Sequence, residues 1–210
     1  TRGGKAMHPK GHFREAILEA AEEIVMETGA QNLTLSAVAF RAGVSKGGLL
    51  YHFQTKRELI QATLKRAAER LDEEAKRQGE DLPETPSRRL KAHLLAHDVT
   101  SRYSEVLRTK RLFAGLLAAV ALDPELATPL RHEYEAFFRE LTGAGLSREK
   151  AAVVCLASDG LCLLDLIHVS PFDEETRERI LEELLRLADG AELPRKETGE
   201  PAGATKGAGR

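Results

Sequence analysis

The chain has 210 residues and is poor in those that staple a fold or cross a membrane. Its 2 cysteines cannot build a disulfide framework, which fits a reducing compartment. No apolar run reaches the roughly 18 residues of a membrane-spanning helix. The basic residues near the N-terminus are not followed by the apolar stretch of a secretory signal. A cytoplasmic protein with no membrane contact is the expectation. Tryptophan is absent and aromatics make up 5%, so Leu, Ala, Val and Ile must supply most of the core. Excess charge is lacking too. A formal net charge of −2 argues against a uniformly basic coat for nucleic acid, but not against a local patch. No segment alternates apolar and polar residues, and no repeat is visible.

What is present is helical period and uneven charge. Residues 31–68 carry a net charge of +5, residues 1–78 of +3, and residues 79–210 of −5. A basic first third on an acidic remainder suggests a head directed at a polyanion. Phe13, Ile17, Ala20 or Ala21, and Ile24 recur at helical spacing, predicting a helix over about 12–28 that stops at Gly29. Thr34 and Ser45 are set to cap two short helices. Thr55 and Glu58 form a capping box for a fourth, which can run to about Arg77. Thr85-Pro86 and Asp123-Pro124 predict helices over about 86–101 and 124–142, with another at 104–121 between them. Ser147 caps an apolar helix to about His168, and Asp173 caps a last one ending at Gly190. From Glu192 onward the composition is Gly, Pro, Ala and charge, the pattern of a disordered tail. The fold class is all-α.

The most informative stretch runs from Thr34 to Phe53. Two short helices flank Ala42-Gly43-Val44-Ser45. Gly43 can turn left-handed without a Cβ penalty, Val44 can plug the angle, and Ser45 can cap the second helix. This is the chemistry of a helix-turn-helix. Lys46, Gly47, Gly48, Tyr51 and His52 then lie at the start and on the outer face of the second helix. Lys46 suits a phosphate or guanine edge, and the glycines permit close backbone approach. A helical hairpin with a solvated basic face is the competing reading.

The wider pattern resembles the DNA-binding domain of TetR-family (tetracycline-repressor-like) transcriptional regulators. The matching residues are Thr34-Leu35, Ala42-Gly43-Val44-Ser45-Lys46-Gly47, Leu49, Tyr51-His52-Phe53, Thr55-Lys56 and Glu58-Leu59. The resemblance implies an N-terminal three-helix DNA-binding domain over 1–55, a ligand-binding and dimerisation bundle over 56–190, and a tail over 191–210. It implies a homodimer on palindromic double-stranded DNA, responsive to a small-molecule effector, and not an enzyme. Thr34 and Ser36 correspond to phosphate contacts. Ser45, Lys46, Gly47 and Gly48 correspond to the base- and backbone-reading end, Tyr51 and His52 to a phosphate-facing pair, and Lys56 to a further phosphate contact. Leu50 departs from the Tyr that many members carry. Phe53 is expected in the core near Ile17 and Ala21.

The second half is less explicit. The helix over 151–168 is apolar nearly all round, the mark of a buried or interface helix, and Asp165 can meet His168 at i+3. Candidate walls of a ligand pocket are His93, His97, Phe113, Leu116, Leu117, Phe137, Phe138 and Asp159. Plain bundle core is the alternative for each. Few aromatics favour an aliphatic or acyl ligand over a flat dye. Cys155, Asp159 and Cys162 share a helix face without an evident fourth metal ligand. The cysteines are about 10.5 Å apart along the axis, beyond the roughly 7 Å limit for a bridge. His93, His97 and Asp98 permit an alternative, a helical metal-dependent enzyme, but no nucleophile motif or phosphate loop accompanies them; a DNA-binding regulator with no small-molecule effector is the other alternative. No cofactor or bound metal is expected.

Overall fold

A computed structural model describes residues 10–97 and 104–190. Among these residues the chain forms nine α-helices and two 3-10 turns, without a strand. The helices are α1 Lys10–Thr28, α2 Leu35–Arg41, α3 Lys46–His52, α4 Lys56–Glu80, α5 Arg88–His97, α6 Ser104–Leu122, α7 Thr128–Gly143, α8 Arg148–Leu166 and α9 Glu174–Ala188. The expected tail and Asp98 lie outside the described residues.

Local capping accounts for many of the boundaries. Thr34 accepts from the Ala37 amide, Ser45 from Gly48, Thr55 from Glu58, Ser147 from Lys150 and Asp173 from Thr176. Glu58 reaches the Gln54 amide at 2.9 Å, one residue before the predicted recipient. Two predicted starts move. Asp123-Pro124 opens a 3-10 turn, Pro124–Ala127, and α7 begins at Thr128. Asp123 gives no capping bond because its carboxylate pairs with Arg57 at 2.8 Å. Thr85 likewise spends its hydroxyl on Ser87, 3.1 Å away, and α5 starts at Arg88. Predicted helix residues 98–101 lie outside the described residues. α4 continues past Arg77 through Gly79, which lies close to Ala92 of α5: an added Cβ would be 3.4 Å from the Ala92 Cβ.

Two apolar clusters organise the bundle. The first gathers Ile17, Leu18 and Ala21 of α1, Val38 of α2, Leu49 of α3, Phe53, and Leu59 and Leu64 of α4. It extends to Leu112 and Leu116 of α6 and to Leu126, so the apolar packing around the N-terminal helices is completed by the following ones. The second cluster joins Leu90 and Leu94 of α5, Phe137 and Leu141 of α7, Val154 and Cys155 of α8, and Leu184 of α9. α4 lies between the two halves as one unbroken helix of 25 residues, about 37 Å long.

Candidate nucleic-acid interface and ligand cavity

The turn between α2 and α3 is closed by backbone. Gly43, at φ 66, donates to the Phe40 carbonyl, and Val44 donates to Ala39 at 3.0 Å. A Cβ on Gly43 would meet nothing within 4 Å, so the left-handed backbone, not crowding, selects glycine. Val44 is half-buried and packs against the first cluster. Ser45 then caps α3, whose single fully buried residue is Leu49.

Apart from Leu49 and His52, α3 is exposed. Thr34, Ser36, Ser45, Lys46, Gly47, Gly48, Tyr51 and Lys56 are exposed, and His52 is half-buried. Tyr51 is 72% exposed and meets His52 edge-on, with ring centroids 5.1 Å apart. Phe53 is buried in the same cluster as Ile17 and Ala21. Phe40, 90% exposed on α2, is a solvent-facing apolar side chain that sequence reasoning passed over.

The +5 of residues 31–68 is mostly neutralised inside the molecule. Arg41 is held by Glu23 and Glu27, Arg57 by Asp123, Lys65 by Glu69, and Arg66 by Glu15 and Glu22. Lys56 donates to the Ala30 carbonyl at 2.9 Å. Within that segment, among the described residues, Lys46 makes no ion pair or hydrogen bond through its ammonium. It projects from the first residue of α3.

A cavity of about 650 Å³ opens between α4, α5, α6, α7 and α8. His93, His97, Phe113, Leu116, Leu117, Phe137 and Asp159 line it, whereas Phe138 does not. Phe138 turns to the second cluster instead, with the Arg148 guanidinium 5.6 Å from its ring centre. Sequence reasoning missed Tyr134, Arg89 and Asp72. Tyr134 precedes Phe137 by one helical turn, a signal at i, i+3 that was available. Arg89 and Asp72 come from different helices and are joined only by the fold.

The cavity wall is chemically specific. His93 stacks on Phe137 at 4.5 Å and its ring centre is 4.0 Å from that of His97. Burial pushes His93 well below the ordinary imidazole value, and the nearby His97 and Arg89 add to the effect. Burial also lowers His97, against opposing pulls from the His93 carbonyl and Asp159. The Tyr134 hydroxyl donates to Asp159, and burial followed by that carboxylate raises its value. Cys162 lines the cavity. Cys155 sits in the second cluster, its thiol pushed up to about 12 by burial, then by Asp159. The two cysteines therefore face different surroundings. Asp165 faces Arg177 of α9 at 3.6 Å rather than His168, which adopts φ 60 just after α8 ends.

The comparisons agree with this geometry. Residues 17–63 match the family described as bacterial regulatory proteins, tetR family, and residues 87–189 match the tetracyclin repressor-like C-terminal domain. The HTH-type transcriptional repressor BepR of Brucella suis biovar 1 (strain 1330) is 43% identical over 54 residues. That match covers 26% of this chain and 26% of BepR, so the chain aligns with about a quarter of that relative's length. The crystal structure of a transcriptional regulator from Rhodococcus sp. Rha1 superposes with a TM-score of 0.68 at 23% identity, covering 86% of this chain and 98% of that one. That of the multidrug binding protein EbrR complexed with imidazole gives 0.62 at 26% identity, covering 94% and 100%. The head match, the C-terminal match and the shared architecture together place the chain in the TetR family of bacterial regulatory proteins.

Proposed function

We propose that this chain is a ligand-responsive repressor that binds a palindromic operator as a homodimer in the cytoplasm, and that it is not an enzyme. One observation carries the reading: α4 is continuous from the helix-turn-helix to the cavity. Its N-terminus follows the Thr55 cap beside α3, and its residues Leu64, Ala68, Leu71, Asp72 and Lys76 form cavity wall. An effector with different affinity for two settings of α4 would thereby favour one spacing of the recognition helices. The head over 1–55 and the body over 56–190 are the two functional units, with α4 as their link.

The dimer face proposed is α8 with α9. Val153, Leu156 and Leu163 are 52%, 70% and 42% exposed along one side of α8. Such a stripe on an otherwise well-packed helix supports an isologous interface. Ser45, Lys46, Gly47 and Gly48 then read the major groove, with Thr34, Ser36, Tyr51, His52 and Lys56 on phosphates. The experiment is to sequence genomic fragments retained by the purified chain. Recovery of a shared palindrome is expected, and recovery of random fragments would overturn the reading.

A further inference from the structure

In the cavity wall, His93 and His97 of α5 stand one helical turn apart, and Asp159 of α8 completes a triangle. One ligand-capable atom from each lies within 4.8 Å of the others. The centre of such a triangle is at most about 2.8 Å from each donor, against bonds of ~2.0–2.2 Å to zinc. Each donor thus needs to move inward by under about 1 Å.

Two further features point to a ligand. His93 is 7% exposed, and its Nε2 is buried without a hydrogen-bond partner, an orphan that a core imidazole rarely keeps. His97 donates from Nδ1 to the His93 carbonyl at 2.9 Å, which leaves its lone pair on Nε2. A backbone-anchored ring of that kind is the form metal-bound histidine commonly takes. Asp159 is oriented in the same manner by the Tyr134 hydroxyl. The cations nearby are already engaged. Arg89 is held by Asp72 and Glu140, and Lys110 donates to the His97 carbonyl at 3.1 Å.

We propose that His93, His97 and Asp159 form a three-donor site for a divalent first-row transition-metal ion of the zinc class, with its remaining coordination open to the cavity. Two imidazoles and a carboxylate suit such an ion better than calcium or magnesium, which favour oxygen ligands. The proposal rests on reading the cavity as the effector pocket and deepens it, because effector recognition then runs through the ion. The third donor comes from α8, so the ion would tie α8 to α5. α5 in turn packs along α4, where Gly79 approaches Ala92.

The test uses the full chain, stripped with a chelator and titrated with Co²⁺, whose visible absorption reports coordination, followed by competition with Zn²⁺. One saturable site per chain, displaced by Zn²⁺, is expected. His97→Gln and Asp159→Asn should lose the saturable signal while melting as the parent does. Tyr134→Phe, which removes only the group orienting Asp159, should weaken binding by about 10–100-fold. Absence of a saturable signal in the parent, or an undiminished one in His97→Gln and Asp159→Asn, would overturn the site. Binding of the stripped chain to its retained DNA fragments is measured in parallel. Absence of DNA binding in both the stripped and the Co²⁺-loaded chain, with the Co²⁺ site intact, would refute the repressor reading and leave the metal site standing.

Discussion

At the residue scale, the proposed DNA-reading face rests on what its side chains do not do inside the molecule. Lys46 spends its charge on no neighbour among the described residues, and Gly47 has open space where a Cβ would stand. Neither feature serves the fold. Alanine at position 47 should therefore stabilise the free protein by roughly 0.5–1 kcal/mol through helix propensity. The same substitution should weaken operator binding, because the added methyl stands where backbone and DNA would approach. Urea unfolding and an anisotropy titration on one preparation check both halves. A stabilised Gly47→Ala protein with parental DNA affinity would remove Gly47 from the contact set. Much at this scale was legible in the sequence. Thr34, Ser45, Thr55, Ser147 and Asp173 cap as their hydroxyl or carboxylate chemistry predicts, since the recipient amide is three residues away. Asp123 and Thr85 deviate because a nonlocal or neighbouring partner, Arg57 or Ser87, competes for the same oxygen.

Helices were readable one by one, but the contacts between them were not. Glu22 on α1 is fully buried, and Arg66 and Arg70 of α4 converge on it at 2.9 and 2.8 Å. Arg108 of α6 adds a contact at 3.3 Å. Burial pushes the Glu22 value up, but hydrogen bonds and charge from Arg66 and Arg70 outweigh it and hold the carboxyl low. Helical period alone gives Glu22 no such role, since its partners are 44 and 48 residues away. Glu22→Gln should cost about 3 kcal/mol, near the low end for breaking a buried ion pair, because water reaches the arginines. Denaturant titration checks this, and a loss under ~1 kcal/mol would mean the arginines re-pair with solvent at little cost. Gly115 of α6 makes a second junction with α1. A Cβ there would lie 2.7 Å from Val25 Cγ1 and 2.9 Å from its carbonyl oxygen. Gly115→Ala should accordingly destabilise by about 1–3 kcal/mol by forcing α1 and α6 apart; an unchanged melting midpoint would show that the junction yields freely. The His93–His97–Asp159 triangle was hidden for the same reason. Asp159 stood among the expected pocket residues with His93 and His97, but its approach to their rings across α5 and α8 is a contact between helices that spacing does not give.

At the scale of the whole molecule, the near-zero net charge conceals a basic head that is largely self-neutralised and an acidic body. Lys46 and Tyr51 then matter more than the segment total suggests. The buried imidazoles also give the body a defined pH response. His93 and His97 are lowered from 6.5 in the folded chain, so below that pH the unfolded chain takes up protons first. Their contribution to stability is complete above 6.5 and is lost as the pH falls towards the folded values. The urea midpoint of the chelator-stripped chain should decline as the pH falls below 6.5, and a rise would contradict the assignment. Glu22 acts in a separate window: its contribution is present above 4.5 and fails as the pH falls through its lowered value.

The central claim is that α3 reads DNA through its exposed face. The most direct measurement is an anisotropy titration of the retained palindromic fragment by the parent chain and by Lys46→Ala, repeated across salt concentrations. Lys46→Ala should keep the parent's melting midpoint and oligomeric state, bind at least ~10-fold more weakly, and show a log–log salt slope smaller by about 1. Equal affinity and equal slope would contradict the account.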